Sequence, residues 1–491
     1  MECRLVMNEK PLPDGTFKYK ARLVVCGYQQ DFEEIIAETY APTGAAESVR
    51  YLIAHAAQNK WTLEQMDFST AFIQSDPLED EDRVLVQLPK GIPQHILEQN
   101  GWIDGQTLRL KKPLYGLKRS PLLWNQSIDK KMKLLSFRST ECDSCLYTNQ
   151  EISLFMFLHV DNLLMSANPS SEIIKETKEK LKDRFDFREE GFPQAFIGIQ
   201  IQRVNDGSIF IHQTRYTMKI LEKFGELEGW TSKIPLKAQK TTEILNLNRP
   251  QKEKGELEIS YKEFIGSLMW LAKGTRPDIL QAVSFLSRFQ SNYGPEHWQV
   301  CSRVFAYLQG TMGFGILYNG TEKSPLNTEQ GDIIGFADAN WAENDATRRS
   351  TTGFVFGLAN GVIKYVSRRQ KNIALSSTEA EIYAMTDAAK EATILKAMIR
   401  DLKKKSVTLE IICDNQSAIG IGNSAELNKG RTKHIEVREM YIKEAIQKGI
   451  VKLVWVPSQE NVADIMTKPL AYPLFSKHRK NLGMRISPLG V

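Results

Sequence analysis

The chain has 491 residues, 42% of them hydrophobic and 25% charged, with a net charge of +5. Single hydrophobic cores stop growing near about 250–300 residues, so several domains are expected. No run approaches the roughly 18 apolar residues of a membrane span, no secretory leader opens the sequence, and six scattered cysteines are too sparse for a disulfide framework. Membrane-spanning and disulfide-scaffold classes are thereby excluded, and an intracellular, reducing setting is expected.

Residues 1–165 mix strand-like and helical runs. KYKARLV carries Lys20 and Arg22 two positions apart, and WTLEQMDF is an apolar run that reaches Asp67 near its end. LKKPLYGLKRSP is a basic loop in which Lys111, Lys112, Lys118 and Arg119 could follow a phosphate backbone by sequence-independent attraction. LFMFL, then HVDN, then LLM reads as a buried hairpin with Asp161 in its polar turn. Cys142 and Cys145 form an isolated C-x-x-C, short of the four ligands of a structural zinc site. Residues 231–258 are polar and expected to form an exposed linker. SYKEFIGSLMWLAKG and PEHWQVCSRVFAYLQG then show helical periodicity, more in keeping with a core than with a binding surface.

From Asp332 onward, IIGFAD, TTGFVFGLA and GVIKYVS predict three strands, Ser377 to about Leu402 a long helix, and VTLEIICD a fourth strand. A helical or loop region through TKHIEVREMYIKEAIQKG, the strand IVKLVWV and a short helix from about Gln459 complete the order βββαβαβα. Asp338 and Asp414 then end strands, Glu381 lies in the first turns of the long helix, and Asp464 lies near the start of the last one. Any one such acid alone reads most simply as a cap or turn residue. Four together repel, stay ionised only beside a strong cation, and offer the hard oxygen ligands that suit Mg2+.

GFADANWA, RRSTTGFVFG, SSTEAEIYA, CDNQSA, RTKHIEVR and NVADIMTKPL, in this order, resemble the RNase H domain of copia-type LTR retrotransposon Pol polyproteins. The resemblance implies Asp338, Glu381, Asp414 and Asp464 as catalytic ligands of Mg2+, with Mn2+ as a substitute, in two-ion phosphodiester hydrolysis. E-I-Y-A fits the family's helix position better at Glu381 than at Glu379. PDGTFKYKARLVVCGY, APTGAAESVRYLIAHAA, WTLEQMDFSTAF, LKKPLYGLKRSPLLW and FMFLHVDNLLMSA resemble the same family's reverse transcriptase. They imply Asp67 and Asp161 as metal-binding catalytic acids, and Lys20 and Arg22 as cations for the incoming nucleotide's phosphates, a task suited to the forked guanidinium of arginine.

The implied fold is multidomain α+β and α/β, a right-hand polymerase followed by an RNase H-like domain. Fingers and palm, N-terminally truncated, would occupy 1–165, a thumb-like part 166–235, a linker and helical connection 236–330, the βββαβαβα domain 331–470 and a C-terminal tail 471–491. Three positions depart from the family pattern: His159 stands for Tyr, Asn162 for the second Asp of the turn, and Arg119 for Gln. Asn162 removes a negative charge from a site that must balance two divalent ions and a triphosphate.

The implied function is RNA-directed DNA synthesis together with hydrolysis of RNA in RNA/DNA hybrids. Its partners would be RNA template, DNA primer, hybrid and dNTPs, with no membrane, in the cytoplasm within a virus-like particle or in the nucleus. With neither protease nor integrase motifs, the sequence reads as a fragment or a decayed copy. The alternative, favoured by Asn162 and the short N-terminus, is a decayed or domesticated copy keeping only RNase H activity or only nucleic-acid binding. The four acids argue against a pure binder, because concentrated negative charge repels phosphates.

Overall fold

The computed structural model describes residues 1–11, 17–30, 39–79, 84–149, 151–169, 172–224, 230–245, 261–319, 324–326, 332–342, 348–424, 433–488 and 490. Parts of four quoted segments, residues 13–16 of PDGTFKYKARLVVCGY, 260 of SYKEFIGSLMWLAKG, 431–432 of RTKHIEVR and 432 of TKHIEVREMYIKEAIQKG, lie outside the described residues, as does 246–258 of the expected linker. The chain forms two compact units: residues 1–45, 64–165 and 171–191, and residues 46–63, 166–170 and 192–491.

In the first unit, β1 (Cys3–Pro11) and β2 (Phe17–Val25) form an antiparallel ribbon. A six-stranded sheet contains β3 (Thr62–Phe68), β4 (Leu154–His159), β5 (Asn162–Ala167) and β6 (Phe187–Gly191), with β6, β3, β5 and β4 as successive neighbours. Phe155, Phe157, Leu158, Leu163, Leu164 and Met165 are all buried, which is why this hairpin reads as continuous apolar runs and not as an alternation. Between the two strands, Val160 has φ +55, an uncommon conformation for a β-branched residue. The indole N–H of Trp124 donates to the Val160 carbonyl at 2.6 Å and fixes the turn. Gly116 has φ +95, and a Cβ there would lie 2.0 Å from the Val25 carbonyl oxygen. Only glycine lets the LYGLKR loop approach β2 this closely, where Val25 N–H donates to Tyr115 O at 2.8 Å.

The second unit contains two five-stranded sheets. In one, the segments Ala195–Phe196, Ile199–Arg203 and Ile209–His212 are followed by β7 (Phe314–Tyr318) and, at the edge, β13 (Met484–Ile486). Residues that the sequence reading divides among thumb, connection and tail therefore share one sheet. The tail region is itself ordered as α4 (Tyr472–Asn481) and β13. The exposed linker does not hold for residues 231–245: Ala238–Leu245 is a helix, and Leu236 and Ile244 are buried because they supply its apolar anchor.

The other sheet has the order β10 (Gly361–Arg369), β9 (Thr351–Leu358), β8 (Ile334–Asn340), β11 (Leu409–Cys413) and β12 (Val451–Trp455). The first three strands are antiparallel, while β11 runs parallel to β8 and β12 parallel to β11. Parallel neighbours need long crossovers, supplied by α2 (Ser377–Lys403) and by the helices Gln416–Asn423 and Lys433–Gln447. The sequence reading has no separate helix at Gln416–Asn423; the Asn415 side chain caps it, accepting from Ala418 N–H at 2.9 Å. At the end of this region, 3-10 geometry occupies Ser458–Glu460, and the short helix α3 spans Asp464–Thr467. Far upstream in sequence, α1 (Ala46–Asn59) packs on β10. Buried Arg50 donates to Ile363 O at 2.6 Å and lies 4.9 Å over the Tyr365 ring.

Candidate active sites

The carboxylate cluster of the second unit is built by strand register. Asp338 lies on β8 two residues before its end, directly opposite Gly353 on β9. A Cβ at Gly353 would sit 2.6 Å from Thr467 Cγ2 and 2.7 Å from Met466 Cβ, so the missing side chain admits α3 against the sheet. That packing carries Asp464 to Asp338, whose carboxylate accepts from the Thr467 hydroxyl. Asp414 follows the last residue of the parallel neighbour β11, and Glu381 is the fifth residue of α2. Oxygen atoms of Asp338, Asp414 and Asp464 lie within 4.8 Å of one another, and Asp414 is also grouped with Glu381 and Cys413 within the same span.

Three of these acids are buried: Asp338, Glu381 and Asp464. Burial pushes Glu381 well above the usual carboxylate range, reinforced by Asp338 and Asp414. Burial likewise raises Asp338 against the opposing Lys468 ammonium, and burial together with Asp338 lifts Asp464 to about 7. Lys468 pairs with Asp464 at 2.8 Å and lies 3.9 Å from Asp338. One ammonium against four carboxylates leaves most of the negative charge uncompensated, and the donors are hard oxygens; the set fits a divalent cation such as Mg2+. Burial also raises the Cys413 thiol, which donates to Glu381 across 3.7 Å and so stays protonated and does not compete as a soft ligand. Glu379 is engaged in the helix start: its carboxylate accepts from Leu375 N–H and from the Tyr383 hydroxyl, both at 2.8 Å.

Sequence reasoning missed the supporting groups. Lys468 was detectable in NVADIMTKPL, since a cation four residues after Asp464 shares its face of the chain. Asn461, which donates to Ala337 O at 3.0 Å and to Asp414 Oδ1 at 3.4 Å, carries no such signal.

In the first unit, Phe68 N–H donates to Asp161 O at 2.7 Å, joining the end of β3 to the hairpin turn and bringing Asp67 and Asp161 near each other. Asp67 accepts from Arg188 on β6 at 2.9 Å. The Asn162 amide donates to Asp161 Oδ1 at 2.9 Å, and its carbonyl accepts from Gln65 at 3.1 Å. Among the described residues, no third Cys, His or acid joins Asp67 and Asp161 in a ligand cluster. With Asp67 paired to Arg188 and the Asn162 amide bonded to Asp161, two carboxylates stand here where the second unit gathers four. Burial lowers the pKa of His159, against the opposing pull of Asp161. The guanidinium of Arg22 lies 5.6 Å over the Tyr115 ring, whose hydroxyl is raised by burial and then by Asp161. Lys20, on the same strand, is exposed.

Residues 2–238 match the family model described as reverse transcriptase (RNA-dependent DNA polymerase). The retrovirus-related Pol polyprotein from transposon TNT 1-94 of Nicotiana tabacum is 32% identical over 496 residues, covering 99% of this chain and 36% of that protein. The Pol polyprotein from transposon RE2 of Arabidopsis thaliana is 30% identical over 491 residues, covering 98% of this chain and 32% of that protein. The chain thus spans about a third of the length of these curated relatives. A foamy viral protease-reverse transcriptase solved with double-stranded DNA is 13% identical with a TM-score of 0.47, over 92% of this chain and 65% of that one. The first half of the chain thus matches the reverse transcriptase family, and nearly the whole chain is similar to the retrovirus-related Pol polyproteins of plant copia-type transposons.

Proposed function

We propose that this chain hydrolyses the RNA strand of RNA/DNA hybrids at the Asp338–Glu381–Asp414–Asp464 cluster, and that its polymerase region engages primer and template but is impaired in DNA synthesis. The observation that carries the first half is four carboxylates, three of them buried, gathered at strand and helix ends beside a single lysine. Asp338, Asp414, Asp464 and Glu381 would hold Mg2+ or Mn2+. When bound, divalent ions supply activation of the attacking water and charge neutralisation at the leaving oxygen. Thr467 and Lys468 orient Asp338 and Asp464, and Asn461 orients Asp414.

For polymerisation we propose Asp67 and Asp161 as the catalytic acids, with Arg22 meeting the phosphates of an incoming dNTP and Lys20 contributing from the exposed strand. Asn162 favours the second reading, a copy in which hydrolysis persists and synthesis does not. The same proposal divides the chain into fingers and palm, a thumb-like part, a connection and an RNase H-like domain. The test is purified protein given a labelled RNA/DNA hybrid with Mg2+ and, separately, a primed RNA template with dNTPs. Cleavage of the RNA strand with weak or absent extension is expected. Equal cleavage by wild type, Asp338→Asn and Asp414→Asn would overturn the assignment.

A further inference from the structure

We infer that a groove between α4 and β13 is a second nucleic-acid contact, binding the phosphodiester backbone at a distinct set of residues from the carboxylate cluster. The inference rests on the reading that the chain acts on nucleic acid, but the groove itself is read from its own side chains. It has a volume of about 660 Å³ and is lined by Phe314, Tyr472, Lys477, Arg479, Lys480 and Arg485, among others; among the described lining residues there is no carboxylate, and Glu460 pairs with Lys477 at 2.5 Å.

Three of its four cations are held in place by the fold. Arg479 lies 4.4 Å over the Phe314 ring and donates to the Tyr307 hydroxyl at 3.1 Å. Arg485 donates to Lys480 O at 2.8 Å and Met484 O at 3.0 Å, and Lys477 bridges Gln459 O and Glu460. Cations preorganised in this way lose little side-chain entropy when an anion arrives. The plainer account is that basic residues in a last helical turn complement the helix dipole, and Arg485 at the Lys480 carbonyl fits it. That account leaves out Lys477, a turn earlier, and two exposed apolar groups beside the cations, Tyr472 at 43% and Ile486 at 63%. Fixed positive charges interleaved with exposed ring and aliphatic surface are the combination that tracks a nucleic-acid strand, charge meeting phosphate and ring meeting base or sugar. An acidic peptide would satisfy the cations but would make no use of the exposed face of Tyr472, whose ring also carries Lys233 at 5.3 Å.

The experiment measures binding of a labelled RNA/DNA hybrid by fluorescence anisotropy in chelator across a salt series, for the full chain and for Lys480→Gln, Lys480→Arg and Lys477→Gln with Lys480→Gln. Each lost phosphate contact should reduce the slope of log affinity against log salt by about 0.7–0.9. The double variant should therefore lose roughly twice that, with Lys480→Arg unchanged. Unfolding temperatures, and cleavage of a short hybrid with Mg2+, are read on the same preparations. An unchanged slope in a folded, cleaving double variant overturns the groove while leaving the hydrolytic site standing. Failure of wild type to cleave, with the slope change still present, would instead remove the hydrolytic reading. Wild type binding polyglutamate as tightly as the hybrid, with the same dependence on Lys480, would make the groove a peptide site and overturn the inference.

Discussion

Asp338 and Asp67 occupy similar places, each on a sheet strand and each beside an acid from a neighbouring element, yet their surroundings differ in burial and in charge. The Asp338 side chain is 3% exposed and shares its site with three more carboxylates and one lysine. Asp67 is 24% exposed, paired with Arg188, and faces a turn in which an amide follows the single acid. The first arrangement is electrostatically incomplete without a cation. In the second, arginine and amide already offset much of the charge that would draw one. On the proposed reading the two activities can be lost independently in one chain, because each site has its own local sum of charges.

Asp338→Asn should break the first site most severely, lowering hybrid cleavage by at least about a thousandfold, equivalent to about 4 kcal/mol of transition-state stabilisation. Circular dichroism of the variant should stay native. Asn162→Asp sharpens the other side of the comparison: it restores a second carboxylate in the turn and should raise primer extension by up to about a thousandfold by the same conversion. Asp161 then loses the donor it now has in Asn162, so the gain should appear only with divalent ions present. Parallel measurement of His159→Tyr with Asn162→Asp separates a misplaced turn from a missing charge. If both variants extend no better than wild type, the shortfall lies outside the turn.

Gly353→Ala tests whether the approach of α3 builds the hydrolytic cluster. The added methyl meets Met466 and Thr467 and should cost about 1–3 kcal/mol of stability. Displacing Asp464 by about 1 Å should lower cleavage by up to a hundredfold while hybrid binding persists. A fully active, equally stable variant would show that this contact does not position the acids.

The buried cluster also makes a pH prediction. Asp464 sits at about 7 against an ordinary value of 3.8, so the folded protein binds a proton that the unfolded chain has released. Stability from this group is fullest below the unfolded value and declines as pH rises through the folded one. In chelator the unfolding temperature should fall between about pH 4 and about pH 7, Asp464→Asn should flatten the decline, and Mg2+ should stabilise more at the upper end of the range. The smallest effect is expected at the hairpin site, where Arg188→Ala removes a largely exposed ion pair and should change stability by no more than about 1 kcal/mol, measured by denaturant midpoint.

Much of this was readable from residue order. Strand-length apolar runs ending near acids gave the first three strands, the long helix and the two later strands, because period and element ends are local properties; their directions came from the structure. The ordered motifs gave the family. The choice of Glu381 over Glu379 rested on a motif, and the structure adds a physical reason: a glutamate three residues after Ser376 is drawn into the helix start, while the one two positions later turns inward. The helix at Gln416–Asn423 and the anchoring of Leu236 and Ile244 in the stretch 231–245 were not readable, since a short polar run reads as a loop unless its few apolar residues have a known surface to meet.

By itself, then, the sequence determined which residue types are available for chemistry, the order of elements in the last third, and the missing charge at Asn162. Those follow from side-chain identity and from periodicity within a few residues. Tertiary structure alone decided that Ala46–Asn59 packs on Gly361–Arg369, that residues 484–486 close a sheet begun near residue 195, and that Gly353 makes room for the helix bearing Asp464. Such pairings join residues up to hundreds of positions apart, and no local pattern encodes which distant surface an apolar face will meet; only the packing of the whole unit selects it.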